Sequence, residues 1–450
     1  MKFTLSDIAE ITGGRLLSGD PVTAVETFVT DSRQASPGAM FVPVRGENVD
    51  GHSYIQSALD KGAAASFTDH PVEAAGPLVL VDDCRAALQQ VGAAYRERFT
   101  IPIVGITGSV GKTTAKEMTA QALSASYNVW RTPKNANSQV GVPITVYGIE
   151  QAHTAAVIEM GVSLPGEMER IARVVKPTCG VITTIGTSHI EFMKSRENIL
   201  REKARMADYL PEGAVLFVNG DNDLLAAFTG NGRYQTATFG LGEGCRFRAV
   251  DIEETETGVA FTCVAPSGSQ RVELPVLGEH NVRNALAALA VADHLGQSLE
   301  ASARALTAYI PPAMRQQLKE AGGVTVIDDS YNASPDSMVS ALNVLAEKKT
   351  AGRRYAVLAG MRELGGYTRR GHLDTGAYAR EKGIDTLVAV GELGGVIAEG
   401  FGPEAVRAAD NREAARLLLE RLRPGDTVLV KGSRGMKTEE IVAEILEGLQ

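Results

Sequence analysis

Short β-branched apolar runs that end in glycine or polar residues, each followed by a stretch with helical spacing, recur along most of this chain. Runs of that length read as buried strands, and their alternation with helices reads as βαβ units in a mostly parallel sheet. In the middle of the chain the runs are Ile101 to Ile106, TAAVIEM, CGVITTIG and AVLFVNG. They alternate with the helical stretches KTTAKEMTAQALSAS, PGEMERIARVV and RENILREKARMADYL. Strand and turn signals dominate 233–277, and the Ala-rich helix NVRNALAALAVADHLG follows. After Pro311 and Pro312 the pattern restarts as VTVIDDS, YAVLAGM, DTLVAVGE and DTVLVKGS. Before Pro102, short strands mix with turn-rich stretches such as TDSRQASPGAMFVPVRGENVDGHS and end in the helix CRAALQQVGAAYRERF. The pattern predicts an α/β chain of three domains: 1–98, small and mixed α/β; 99–312, built on a parallel sheet; and 313–450, a Rossmann-like doubly wound sheet. Ligands bind at the carboxyl ends of strands in such sheets, so two of them joined by a short linker predict a cleft that can close.

Length and composition fit that division. The chain has 450 residues, more than one hydrophobic core usually organises. A formal net charge of -9 argues against general nucleic-acid binding. It does not argue against a phosphate site, which local amides and a few cations can build. Cys84, Cys179, Cys245 and Cys263 are too far apart for a CxxC pair, so they suggest reduced thiols rather than a disulfide scaffold or zinc knuckle. The N-terminal MKFTLSDIAEITGG carries Asp7 and Glu10 and is no signal peptide. Nothing approaches the ~18 unbroken apolar residues of a membrane helix. These features predict a cytoplasmic protein with no membrane partner.

The strongest local signal is the run from Gly105 to Thr114, GITGSVGKTT, between a predicted strand and a predicted helix. Glycines let backbone N–H groups of Gly108, Ser109, Val110 and Gly111 wrap phosphate oxygens, while Lys112 reaches the outer phosphates. Thr113 can ligate Mg²⁺, and Thr114 continues the loop into the helix. The spacing departs from strict GxxxxGK[ST], because Ile106 stands where the first glycine would fall. A nucleoside triphosphate is the predicted ligand, which by itself names no reaction.

Further candidates lie at strand ends and on helix faces. Glu159 closes TAAVIEM and suits a divalent cation beside Thr113, although a strand-end carboxylate can equally be solvated. His189 follows CGVITTIG at another strand end. Lys203 shares a helical face with Ile199, Leu200, Met206, Ala207 and Leu210, which would desolvate its amine and favour the neutral form. A neutral amine can capture CO₂ as a metal-binding carbamate; snorkelling to solvent is the plainer alternative. Asn281 and Asn284 share one face at the start of the Ala-rich helix, where asparagine most often caps.

The loop TGSVGKTT resembles the nucleotide loop of the Mur ligase family, and the resemblance extends over the whole chain. NANSQVGVP (135–143), EMG (159–161), IGTSHIE (185–191) and GEHNVRNALAA (278–288) follow the family's order. DDSYNASPDSM (328–338), GMRELG (360–365) and VKGSR (430–434) resemble the branch that adds a terminal dipeptide. The resemblance implies an ATP-dependent ligase that forms an acyl phosphate and joins D-alanyl-D-alanine to UDP-N-acetylmuramoyl-tripeptide in peptidoglycan synthesis. A sibling ligase adding a single amino acid is the alternative. It further implies two Mg²⁺ ions held by Thr113, Glu159, His189 and a carbamylated Lys203, which with Lys112 form the catalytic set. Asn281 and Asn284 would reach the adenine, Arg315 the γ-phosphate and Asp329 the ribose. Ser32, Arg33, Arg45, Gly46, Asp50, Gly51 and His52 would hold the uridine diphosphate. Asn137, Asn332, Ser334, Lys431, Ser433 and Arg434 would serve the peptide substrates, in a chain acting as a monomer. The sequence departs from the family where Asn137-Ser138 replaces an asparagine pair, and where Ala359-Gly360 replaces Gly-Asp.

Overall fold

Every position of the strand Ile103–Thr107 is buried, as expected of a parallel strand covered by helices on both faces. In the computed structural model, which describes residues 2–46 and 49–450, it lies inside a nine-stranded sheet. From one edge the parallel strands are Val129–Arg131, Ala155–Glu159, Ile103–Thr107, Cys179–Ile182, Val215–Asn219, Gln235–Gly240 and Phe247–Glu254. The antiparallel strands Val259–Ala265 and Gly268–Leu274 complete the far edge. The chain leaves Ile103–Thr107 toward one edge, returns through Ala155–Glu159, then crosses to Cys179–Ile182 on the other side. That reversal opens a crevice at the carboxyl ends of these three neighbours. Register sets Ile106 level with Glu159 and Thr107 level with Ile182, so three loops distant in sequence start side by side.

The flanking units repeat the logic. The first is a five-stranded sheet with strands 27–29, 39–41, 65–68 and 78–80 parallel and Arg15–Ser18 antiparallel at one edge. Tyr147 keys it to the central sheet by donating to the Val25 carbonyl at 2.8 Å and accepting from the Phe3 N–H at 3.0 Å. The third has six strands, five parallel and Gln317–Ala321 antiparallel at its edge. Val324–Asp328 and Arg354–Ala359 both flank Thr427–Lys431, so the loops after all three open at one end. The architecture is therefore mixed α/β with three sheets, as the apolar pattern implies. No helix among the described residues is long and apolar enough to cross a membrane.

Two elements are shorter than the pattern suggests. The strand expected through Thr183 to Gly186 ends at Ile182; beyond it the Thr183 hydroxyl donates to the Val110 carbonyl at 2.5 Å and the Thr184 carbonyl accepts from the Ser109 N–H at 2.7 Å, so the segment bonds to the glycine loop. The helix expected through Leu210 is α-helical only over Arg196–Ala204 and tightens to a 3-10 turn at Arg205–Tyr209. Pro211 follows, and the residue before a proline is disfavoured in the helical region.

Candidate active site

The glycine loop is shaped by two backbone positions that only glycine adopts easily. Gly108 has φ +150°, and a Cβ there would lie 1.9 Å from the Thr183 hydroxyl oxygen. Gly111 has φ +87° and abuts Asn284. Gly111 also caps the helix Lys112–Leu123 without any side-chain hydrogen bond, which leaves the helix's first N–H groups facing the cavity. Such an end favours anions. Lys112 folds back to donate to the carbonyls of Gly108 (2.9 Å) and Ser109 (3.3 Å). Burial pushes its amine below the ordinary lysine range; Glu159 opposes that shift and Arg315 adds to it.

Beside the loop, Glu159 is 1 % exposed. Its Oε1 accepts from the Thr113 hydroxyl at 3.1 Å and the Asn137 amide at 2.7 Å. Its Oε2 is buried with no hydrogen-bond partner, and the nearest cation is the fully buried Lys116, 3.9 Å away. A hydroxyl and a half-satisfied carboxylate at this spacing suit a hard divalent cation. Lys203 is 1 % exposed and its amine also has no hydrogen-bond partner. Desolvation pushes it well below the usual lysine range, with the charge of Lys112 adding to the effect. Snorkelling is thereby ruled out for this residue. Lys203 is not among the residues that line the cavity onto which the glycine loop opens, whereas His189 is, with its Nδ1 bonded to the Glu363 carboxylate.

The third sheet supplies the opposite wall. Lys431 Nζ lies 2.5 Å from Asp329 Oδ2 and donates to the Asn332 carbonyl at 2.9 Å. Burial raises the Asp329 carboxyl's pKa against the opposing pull of Lys431. Arg315 stacks over the Tyr331 ring at 4.1 Å. Asn332 accepts from the Arg434 N–H, Ser334 caps the helix Pro335–Glu347, and Ser433 accepts from the Arg362 N–H at 3.0 Å. Asn281 and Asn284 do not cap their helix, which runs Glu279–His294 with Gly278 at the cap position, and Asn281 donates to the Leu277 carbonyl and to Gln316. Ser109 to Thr114, Asn137, Glu159, His189, Asn281, Asn284, Arg315, Asp329, Asn332, Ser334, Lys431, Ser433 and Arg434 all line one cavity of about 530 Å³.

The first-sheet candidates do not line that cavity. Ser32 and His52 are buried, whereas Arg33 and Arg45 are exposed cations already paired with acids. Arg33 holds the Asp31 carboxyl down to about 2. Arg45 pairs with Asp69 at 2.8 Å and Asp50 at 3.4 Å. Gly51 passes so close to Val44 that a Cβ would meet its N at 2.6 Å, and Gly46 accompanies it in the same loop, donating its N–H to the Val49 carbonyl at 2.9 Å. His52, Asp69 and Cys84 approach with metal-like spacing. However, Asp69 Oδ1 already faces Arg45, His52 and His70, and burial pushes the Cys84 thiol up to about 12. That cluster is a hydrogen-bond network that braces the loop.

Sequence reasoning passed over several residues at the cavity. Glu363 lies inside the quoted GMRELG run and Tyr331 inside DDSYNASPDSM, so their motifs were visible although their roles were not. Glu167, which accepts from the Ser163 and Leu164 N–H groups, carried no sequence signal. At Gly360, where the family usually has aspartate, a Cβ would lie 2.7 Å from Leu393 Cβ, so that side chain's space is filled.

Family models match in three consecutive pieces: the Mur ligase family catalytic domain at residues 25–101, the Mur ligase middle domain at 106–292, and the Mur ligase glutamate ligase domain at 314–434. The UDP-N-acetylmuramoyl-tripeptide–D-alanyl-D-alanine ligase of Bacillus subtilis is 35% identical over 99% of this chain and 99% of its own. The Escherichia coli protein of the same name is 33% identical over 99% and 98%. Among solved structures, MurF from Acinetobacter baumannii superposes with a TM-score of 0.93 at 31% identity, covering 99% of both chains. MurF ligase from Thermotoga maritima in complex with ADP gives 0.85 at 26% identity, covering 94% and 97%.

Proposed function

Because the chain belongs to the Mur ligase family, we propose a residue-level reading of how its cavity performs that family's chemistry. The chain is an ATP-dependent ligase that joins D-alanyl-D-alanine to UDP-N-acetylmuramoyl-tripeptide in peptidoglycan synthesis. The observation that carries the residue-level reading is the buried Thr113–Glu159 pair, with one carboxylate oxygen unsatisfied, in a cavity shared by the glycine loop and the third sheet's strand ends.

In this reading the N–H groups of Val110 to Thr114 and the Lys112 amine grip the triphosphate, whereas the Ser109 N–H, expected to join them, is donated to the Thr184 carbonyl at 2.7 Å. Asn281 and Asn284 meet the adenine, Asp329 the ribose and Arg315 the γ-phosphate. The tripeptide's terminal carboxylate attacks the γ-phosphorus, ADP leaves, and an acyl phosphate results. The dipeptide amine then attacks the acyl carbon. The tetrahedral oxyanion needs cations held in place beforehand, and Lys112, Arg315 and Lys431 are candidates. Collapse expels phosphate carrying an oxygen from the carboxylate.

Thr113, Glu159, His189 and a carbamate on Lys203 would hold Mg²⁺; the orphaned Glu159 Oε2 and Lys203 amine fit that role. Bound there, Mg²⁺ would neutralise charge on the transferring phosphoryl group. Asn137, Asn332, Ser334, Ser433 and Arg434 orient the peptides, and the Ser32–His52 cluster holds the uridine diphosphate. We read the chain as a monomer, and the ATP requirement supports a cytoplasmic site of action. The test is phosphate release with UDP-N-acetylmuramoyl-tripeptide and a panel of amines. D-alanyl-D-alanine should trigger release, and meso-diaminopimelate, L-lysine and glutamate should not; release with any of the latter alone would transfer the chain to a sibling activity.

A further inference from the structure

His189 and Glu363 are 174 residues apart and come from different sheets, yet the Glu363 carboxylate faces His189 Nδ1. Both residues have left-handed backbones, with φ +61° and +62°, a conformation that is strained for a non-glycine residue and persists only where surroundings impose it. The surroundings here are a docked pair of turns. Glu191 N–H donates to the Glu363 carbonyl at 3.3 Å, and Gly365 rests on Glu191, where an added Cβ would come within 3.1 Å of its Cγ. One turn earlier, Asp336 accepts from both the N–H (2.9 Å) and the hydroxyl (3.1 Å) of Thr187. Gly186 makes room for it, since a Cβ there would lie 2.2 Å from Asp336 Oδ2. Two carboxylates of the third sheet thus clasp the segment 186–191 that carries His189.

We propose that Glu363 is a positioning residue for His189, delivered by the third domain and fixing the imidazole as its Nδ1–H tautomer. An ionised carboxylate can only accept, so the proton between the two groups sits on Nδ1. In the neutral ring this leaves the one lone pair on Nε2, free for a ligand in the cavity that His189 lines. A carboxylate on the far ring nitrogen is the usual way in which a ligating histidine is oriented. Here that carboxylate lies across the junction between sheets. His189 is therefore set only while the third domain is seated, which makes domain docking a condition of a competent site.

The inference rests on the ligase reading for its kinetic consequence but not for its structural one. The test uses the full-length protein labelled with ¹⁵N-histidine, with the His189 signal assigned from a His189→Asn spectrum. Wild type should show the Nδ1–H tautomer, and Glu363→Ala should lose it for the Nε2–H form or a mixture. Glu363→Ala should also lower kcat by about 10–100-fold, with the KM for the UDP-peptide unchanged. Glu363→Gln keeps an acceptor oxygen and should recover the tautomer and much of kcat. Unaltered tautomer or native kcat in Glu363→Ala would overturn the proposal. A tautomer that shifts as described in a protein making no dipeptide adduct would support the clasp and overturn the ligase reading instead.

Discussion

Gly108→Ala probes the glycine loop at its most constrained point. At φ +150° an L side chain is strained whatever room it has, and costs of about 1–3 kcal/mol are usual for such positions. Room is also lacking, because the new Cβ would lie 1.9 Å from Thr183 Oγ1 and 3.2 Å from the Thr183 backbone N. Thr183 cannot yield freely: it is 3 % exposed, and its hydroxyl donates to the Val110 carbonyl at 2.5 Å. Forcing extra volume into such a site adds about 1–3 kcal/mol. If the loop gives way rather than the sheet, the sum appears as lost nucleotide affinity, and about 3 kcal/mol corresponds to a ~100-fold weaker Kd. Calorimetric titration with ADP and Mg²⁺ measures it. Thr183→Ala removes the obstructing hydroxyl, so Gly108→Ala/Thr183→Ala should bind more tightly than the two single losses sum to, by a coupling energy of about 0.5–3 kcal/mol. A single Gly108→Ala variant with wild-type affinity, or strictly additive losses, would refute the reasoning.

Lys203→Ala should abolish turnover while ADP binding persists, and added acetate should partly restore turnover by standing in for a carbamate; a near-native rate in coupled phosphate release removes the carbamate from the account. His280 lines the cavity, and burial lowers its pKa to about 4 from 6.5. The unfolded chain therefore binds more protons between those values, so stability is full above pH 6.5 and falls toward pH 4, by at most about 1.4 kcal/mol per pH unit and less where solvent reaches the ring. His280→Gln should flatten that part of the denaturant-midpoint profile, and an unchanged slope would contradict the burial argument.

What the sequence disclosed was what local pattern encodes. The strand preceding the glycine loop, the helix after it and the apolar stripe around Lys203 are periodicities readable within a few residues, and the structure buries all three. Relations between segments distant in sequence were not readable. The pairing of Arg45 with Asp69, the approach of Lys116 to Glu159 and the meeting of Glu363 with His189 depend on strand order and register. The asparagines at the Ala-rich helix show the limit of propensity: residue type suggested caps, but the cap is Gly278, the helix begins at Glu279, and both asparagines line the cavity. At position 360 glycine is explained by Leu393, a neighbour from a different strand–helix unit that no local window contains.

The central claim is that ATP's terminal phosphoryl group passes to the carboxylate of the bound peptide before the new amide forms. UDP-N-acetylmuramoyl-tripeptide carrying ¹⁸O in its terminal carboxylate, turned over with ATP and D-alanyl-D-alanine, tests this directly by mass spectrometry of the phosphate released. The account predicts one ¹⁸O in inorganic phosphate and none in ADP. Unlabelled phosphate alongside completed amide product would contradict it.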